Sequence, residues 1–166
     1  WYEKSANQHY PPSLHALAIC YESGEGVERD VVKALSLYKK AAEEGHAPAQ
    51  YNLACMYEDG RGTDVDDRLA FEWCLKAAKQ GDHRAMTTVA FYFRDGKGIA
   101  KSVDECLYWL LTAGAKGGDE FAREMLVTTF SIDEIPLSPP SHTMTKEEWR
   151  SSLYEWCAKY AEKGSA

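Results

Sequence analysis

A 36-residue repeat governs what this chain can fold into. Three segments, Tyr21-Glu-Ser-Gly-Glu-Gly-Val27, Tyr57-Glu-Asp-Gly-Arg-Gly-Thr63 and Phe93-Arg-Asp-Gly-Lys-Gly-Ile99, carry glycine pairs that recur at 36 residues without slippage. Trp1, Leu37, Trp73 and Trp109 keep the same register. So do Lys40-Ala41-Ala42, Lys76-Ala77-Ala78 and Thr112-Ala113-Gly114, which lead to Gly45, Gly81 and Gly117. Aligning residues 13–48 with 49–84 gives 12 identities in 36 positions, far above chance. A repeat of this length builds a stack in which each unit buries its apolar face on its neighbours, with no single central core.

Each unit reads as two helices. In the stretch Ala49 to Tyr57, the residues Ala49, Leu53, Ala54 and Tyr57 share one helical face. The Gly60 that follows stops the helix, because glycine takes the left-handed position without a Cβ penalty. The second helix opens at Asp30, Asp66 or Ser102, all good N-cap residues. Small residues at Ala41, Ala42, Ala77 and Ala78 allow close helix approach. The expected units are 13–48, 49–84 and 85–120, with a partial leading unit at 1–12.

The pattern Ala…Leu-Ala…Tyr…Gly-x-Gly…Asp…Ala…Trp…Lys-Ala-Ala…Gly resembles Sel1-like repeats, the longer-looped relatives of tetratricopeptide repeats. The resemblance covers about residues 1–130 and returns in Trp156-Cys-Ala-Lys-Tyr-Ala-Glu-Lys-Gly164. Ala18, Ala54 and Ala90 stand where the family usually has glycine, a mild change for helix packing. The expected fold is all-α: a right-handed α/α superhelical solenoid of about four helix-pair units with a C-terminal capping helix. The terminal unit, 121–166, diverges by a Pro-rich insertion at 131–144, and Trp156 follows Trp109 by 47 residues instead of 36. Thr145 with Glu148 reads as a capping box, and a long final helix is expected from there through Lys163.

Charge and composition exclude several function classes. Asp and Glu number 26 against 19 Lys and Arg, a net charge of −7, which disfavours nucleic acid and anionic lipid. No run approaches the roughly 18 apolar residues of a membrane span. The five cysteines, Cys20, Cys55, Cys74, Cys106 and Cys157, form no CxxC and no regular spacing. They read as buried thiols rather than a metal knuckle or a disulfide scaffold, and favour a reducing cytoplasm over the endoplasmic reticulum lumen or a bacterial envelope, the alternative compartments. The start at Trp1 leads us to expect a region of a longer protein.

No catalytic or metal site emerges, and no cofactor is implied. The Gly-x-Gly loops follow helices rather than strands and lack the Lys-Ser/Thr of a phosphate cradle, so helix termination accounts for them. Asp59, Asp64, Asp66 and Asp67 lack the ligand alternation of a calcium loop. The five histidines, His9, His15, His46, His83 and His142, are scattered, none three or four residues from another His or Cys, and His46 reads as a turn residue after Gly45.

What remains is surface, because the first helices of such solenoids line the concave side. One row is Ile19, Cys55, Phe91 and Val127, apolar where a solvated face would be polar. A second is His15, Tyr51, Thr87 and Arg123, and a third is Glu22, Glu58, Arg94 and Phe130. The first row is either a wide packing stripe or a groove for an extended or helical peptide. Phe91 and Tyr51 are the expected anchors, with Arg94 and Arg123 favouring an acidic group and Glu22 and Glu58 a basic one. Cys20, Met56 and Tyr92, one step round the helix, are expected to pack between units. The resemblance implies a non-enzymatic adaptor for a protein or peptide partner, including other domains of the same chain. The alternatives are a regulatory or substrate-docking region of a larger enzyme, and the β-lactam hydrolysis linked to cysteine-rich members. Those members carry a regular Cys pair in each repeat, unlike this chain.

Overall fold

A computed structural model describes residues 10–116 of the chain. The leading residues, the fourth unit with Arg123 and Val127, the 131–144 insertion, the final helix and Cys157 lie outside the described residues. Within them the chain is a series of helices: α1 (Pro11–Ser23), α2 (Val31–Glu43), α3 (Ala47–Asp59), α4 (Asp67–Lys79), α5 (His83–Asp95) and α6 (Val103–Lys116). Each helix packs mainly on its chain neighbours, with α1 on α2, α3 on α4 and α5 on α6 as the closest pairs. That is an all-α repeat solenoid of three helix pairs among the described residues.

The ends of the helices follow from local chemistry. Asp30 and Asp66 each accept a bond from the backbone N–H three residues on, at 2.9 Å, and Ser102 does so at 3.2 Å. These side chains satisfy orphan N–H groups in the first turns of α2, α4 and α6. Gly24, Gly60 and Gly96 end α1, α3 and α5 in the left-handed conformation. The first helix is longer than the sequence pattern indicated. α3 begins at Ala47 because Pro48, which needs no N–H partner, sits comfortably in a first turn.

Burial is distributed along the stack in two clusters. One joins α1, α2 and α3, the other runs from α3 to α6, and Tyr57 and Trp73 pack against both. Ala34, Ala70 and Cys106 are sealed at one register position and Ala41, Ala77 and Ala113 at another, so these small residues lie inside the stack. Ala18, Ala54 and Ala90 are buried as well, and their methyl groups fit. Met56 and Tyr92 are buried between units, as expected, and Tyr92 meets Phe71 of α4 edge-on at 5.9 Å.

The second glycine of each loop has a different task from the first. A Cβ placed on Gly62 would stand 3.0 Å from the Val31 carbonyl oxygen, and one on Gly98 would stand 2.2 Å from that of Asp67. These loops therefore lie directly on the start of the preceding unit's second helix. Helix termination does not explain them; close backbone approach between units does.

Candidate functional site

The candidate rows sit on the first helix of each unit: α1, α3 and α5. In the first row Ile19 is 42% exposed, while Cys55 and Phe91 are half-buried. In the second, His15 and Tyr51 are half-buried. Thr87 is only 6% exposed, and its hydroxyl donates to the His83 carbonyl at 3.2 Å. Arg94 of the third row is exposed.

Two arginines cover the two aromatic anchors. The Arg84 guanidinium lies 4.8 Å from the centre of the Tyr51 ring, and that of Arg94 lies 4.6 Å from the Phe91 ring. Each is held by a carboxylate. Arg84 Nη2 donates to Asp82 at 2.9 Å, and Arg94 forms a two-pronged pair with Asp95 at 2.8 and 3.0 Å. Burial works against the charge on Asp82, but bonds from Arg84 and from the first N–H groups of α5 outweigh it and hold the carboxyl below its usual range. Arg84 was invisible to row-by-row reading. It sits one turn ahead of the second row and reaches the aromatic residue of the unit before.

Glu22 and Glu58 are engaged between units. Glu22 accepts from Tyr38 Oη at 2.7 Å and from Arg61, and Glu58 accepts from Lys97 Nζ at 2.7 Å. Their charge is therefore met inside the chain and is not displayed toward a basic partner.

His15 belongs to a small polar cluster. Its ring lies 5.1 Å from that of His46 and 5.7 Å from that of Tyr38, and Asn52 Nδ2 stands 3.0 Å from Nε2. The amide can only donate there, so the bond needs a neutral imidazole with its proton on Nδ1. Burial, then the neighbouring His46 and Arg84, lower the pKa of His15 from 6.5, and burial lowers that of His46. Since both groups bind protons more weakly when folded, their stabilising effect is complete above pH 6.5 and is lost as pH falls below it. We expect the melting temperature to drop between about pH 7 and about pH 5, and His15→Gln with His46→Gln to flatten that slope. An unchanged slope in the double variant would refute the assignment.

Burial also shifts three thiols and a phenol. Burial pushes the Cys55 and Cys74 thiols up, and Cys106 up to about 11. Burial likewise raises the Tyr51 phenol. A nucleophilic thiolate needs a shift in the opposite sense. Cys20, Cys55, Cys74 and Cys106 are free thiols. Among the described residues no three His, Cys, Asp or Glu could hold a metal, and no helix is long and apolar enough to cross a membrane.

Comparison with known proteins places these features. The Sel1 repeat profile matches residues 1–10, 11–46, 47–82 and 83–118. A Sel1 repeat protein from Oxalobacter formigenes is 31% identical with a TM-score of 0.71, over 75% of this chain and 93% of that one. The protective antigen c5321 of uropathogenic Escherichia coli, which displays an SLR fold, is 27% identical with a TM-score of 0.74. That match covers 93% of this chain but 32% of the antigen. Cysteine rich protein B of Helicobacter pylori shares the fold, at 23% identity and a TM-score of 0.60 over 74% of this chain and 93% of its own. No curated protein matches the chain.

Proposed function

Because this chain belongs to the Sel1 repeat family, whose repeats generally serve as protein-interaction scaffolds, we propose that it is a non-enzymatic adaptor holding a protein or peptide in the concave groove of its first helices. One observation carries this reading. Ile19 is 42% exposed at the head of an apolar row that Cys55 and Phe91 continue, half-buried, on the next two units. On the two inner units Cys55 and Phe91 keep partial exposure where Met56 and Tyr92, one step round the same helices, are sealed.

Tyr51 and Phe91 are the anchors, since aromatic side chains supply most interface energy. Arg84 and Arg94, stacked on those rings, use their Nε–Nη2 edges on Asp82 and Asp95, which leaves Nη1 of each for an acidic side chain of the partner. By register the rows run on to Arg123 and Val127. A docking region that serves an enzyme elsewhere in a longer polypeptide would use the same groove. Free thiols favour a reducing compartment, the cytoplasm, and counting them after denaturation tests that placement: five supports it and fewer counts against it.

The test of the groove is affinity capture from native lysate with the wild-type chain and with Tyr51→Ala/Phe91→Ala. We expect helicity to persist and the captured partner to bind more weakly by about 1–3 kcal/mol per anchor. Undiminished binding by the double variant would sink the groove reading.

A further inference from the structure

Three units contribute to one polar cluster beside the apolar row. His15 comes from α1, His46 from the N-cap of α3, Asn52 from α3 itself and Arg84 from the first turn of α5. The two imidazoles lie 5.1 Å apart, centre to centre. The Arg84 guanidinium covers Tyr51, the residue before Asn52, 4.8 Å from its ring centre. His15 feels the charges of both His46 and Arg84.

This cluster keeps donors that the described residues leave unused. The Asn52 amide stands 3.0 Å from His15 Nε2 and also faces the Tyr38 oxygen, whose own proton goes to Glu22 at 2.7 Å. Both neighbours therefore take an N–H from Asn52, which leaves the His15 proton on Nδ1. No acceptor for that Nδ1–H is found among the described residues. Arg84 gives Nε and Nη2 to Asp82 and keeps Nη1. His46 makes no side-chain bond to the helix it precedes. None of the three side chains is buried.

We propose that this cluster is a carboxylate subsite, in which Arg84 Nη1 and His15 Nδ1–H hold an acidic side chain of the peptide partner while His46 takes up a proton from solvent. It rests on the groove reading and names the chemistry of one contact within it. Charge complementarity selects this occupant. With both histidines neutral, Asp82 offsets Arg84, so an added monoanion calls for one further positive charge. Asn52 holds His15 neutral, which leaves His46 to supply it. The groups packed around them do not. Tyr38 of α2 is a neutral phenol on Glu22, and Glu22 is met by Arg61. Glu43 and Glu44 at the end of α2 are exposed, and burial alone shifts His46. Tyr51 and Asn52 of α3 are uncharged, and α5 with its cap brings Arg84, Asp82 and the exposed His83. A phosphate dianion would set its second charge against Asp82, whose side chain is only 9% exposed. A peptide lying on Ile19, Cys55 and Phe91 crosses the helices a turn or two from these groups, so it reaches them with a side chain and not with its end.

The test follows the histidine Cε1–H resonances of the whole chain by NMR with three pentapeptides and with inorganic phosphate. The first is acetyl-Leu-Ala-Glu-Ala-Leu-amide, whose only charge is the central carboxylate, still ionised at pH 5.5. The second replaces Glu by Gln and carries no charge, and the third is that Gln peptide with a free terminal carboxylate. The Glu peptide should move the His15 and His46 resonances and raise the His46 midpoint by about half a pH unit or more. It should bind about fivefold more tightly at pH 5.5 than at pH 7.5. Arg84→Gln should weaken it at least about tenfold. His46→Gln should keep binding at pH 7.5 within about twofold and remove the pH dependence. Unmoved histidine resonances overturn the proposal, as does an equal response to the uncharged peptide. So does tighter binding of the terminal carboxylate or of phosphate, or a pH dependence that survives His46→Gln. Phe91→Ala separates the two readings. If it leaves peptide affinity unchanged while the histidines still respond, the groove fails and the subsite stands; if affinity falls but the histidines never respond, the subsite fails alone.

Discussion

Gly98→Ala is expected to destabilise the chain by about 3–4 kcal/mol, more than either related loop substitution. Holding alanine in the left-handed region costs about 1–2 kcal/mol by itself. The remainder comes from the joint. The new Cβ would lie 2.2 Å from the Asp67 carbonyl oxygen and 2.9 Å from the Arg68 nitrogen, both backbone atoms, so the loop must lift off the second unit. Lifting it also pulls Lys97 from Glu58 and Asp67. Gly62→Ala meets the Val31 oxygen at 3.0 Å and should cost less, while Gly26→Ala meets nothing among the described residues. The three φ angles lie between +69° and +74°, so the conformational cost is common to all and the differences report contact alone. Urea unfolding of the three variants should rank Gly98→Ala as most damaging, then Gly62→Ala, then Gly26→Ala at about 1 kcal/mol. Equal losses would mean that the second glycine recurs in the three loops for its conformation and not for its approach to a neighbour.

Those glycines mark where sequence reasoning reached and where it stopped. Gly60 as a helix stop and Asp30, Asp66 and Ser102 as caps are local events, decided by a few adjacent residues, and they stand as expected. Burial at Met56 and Tyr92 followed from register alone. Contacts across a joint were not legible, because periodicity within a helix says nothing about what a loop 39 residues later will touch. Glu22 and Glu58 looked like groove charges until Arg61 and Lys97 were seen on them. The same limit hid Arg84 from the site: its ring contact is with Tyr51 of the unit before. Asp82, which caps α5 and holds Arg84, was missed too, although an Asp after a closing glycine is a signal that could have been used.

Phe71→Ala should remove about 4 kcal/mol, concentrated at the joint between the second and third units. Phe71 is 7% exposed on α4 and meets Tyr92 and Phe93 of α5 edge-on, with ring centres 5.9 and 5.4 Å away. Truncating a buried phenylalanine costs about 3–5 kcal/mol, part of it for the cavity left behind, and the lost ring pairs add to that. A globular domain would spread such a loss over the whole fold. A stack whose units touch only their neighbours should confine it. Hydrogen exchange followed by mass spectrometry should therefore show α5 and α6 losing protection while α1 and α2 keep theirs. Partner capture through Phe91 should weaken with it, although Phe71 belongs to a second helix, because α5 must be seated for its face to be presented. Phe71→Leu supplies the control, since Leu35 and Leu107 occupy the same register position, and it should cost less than about 1.5 kcal/mol. If α1 and α2 lose protection together with α5 and α6, the units are one cooperative block, and stability cannot be assigned joint by joint.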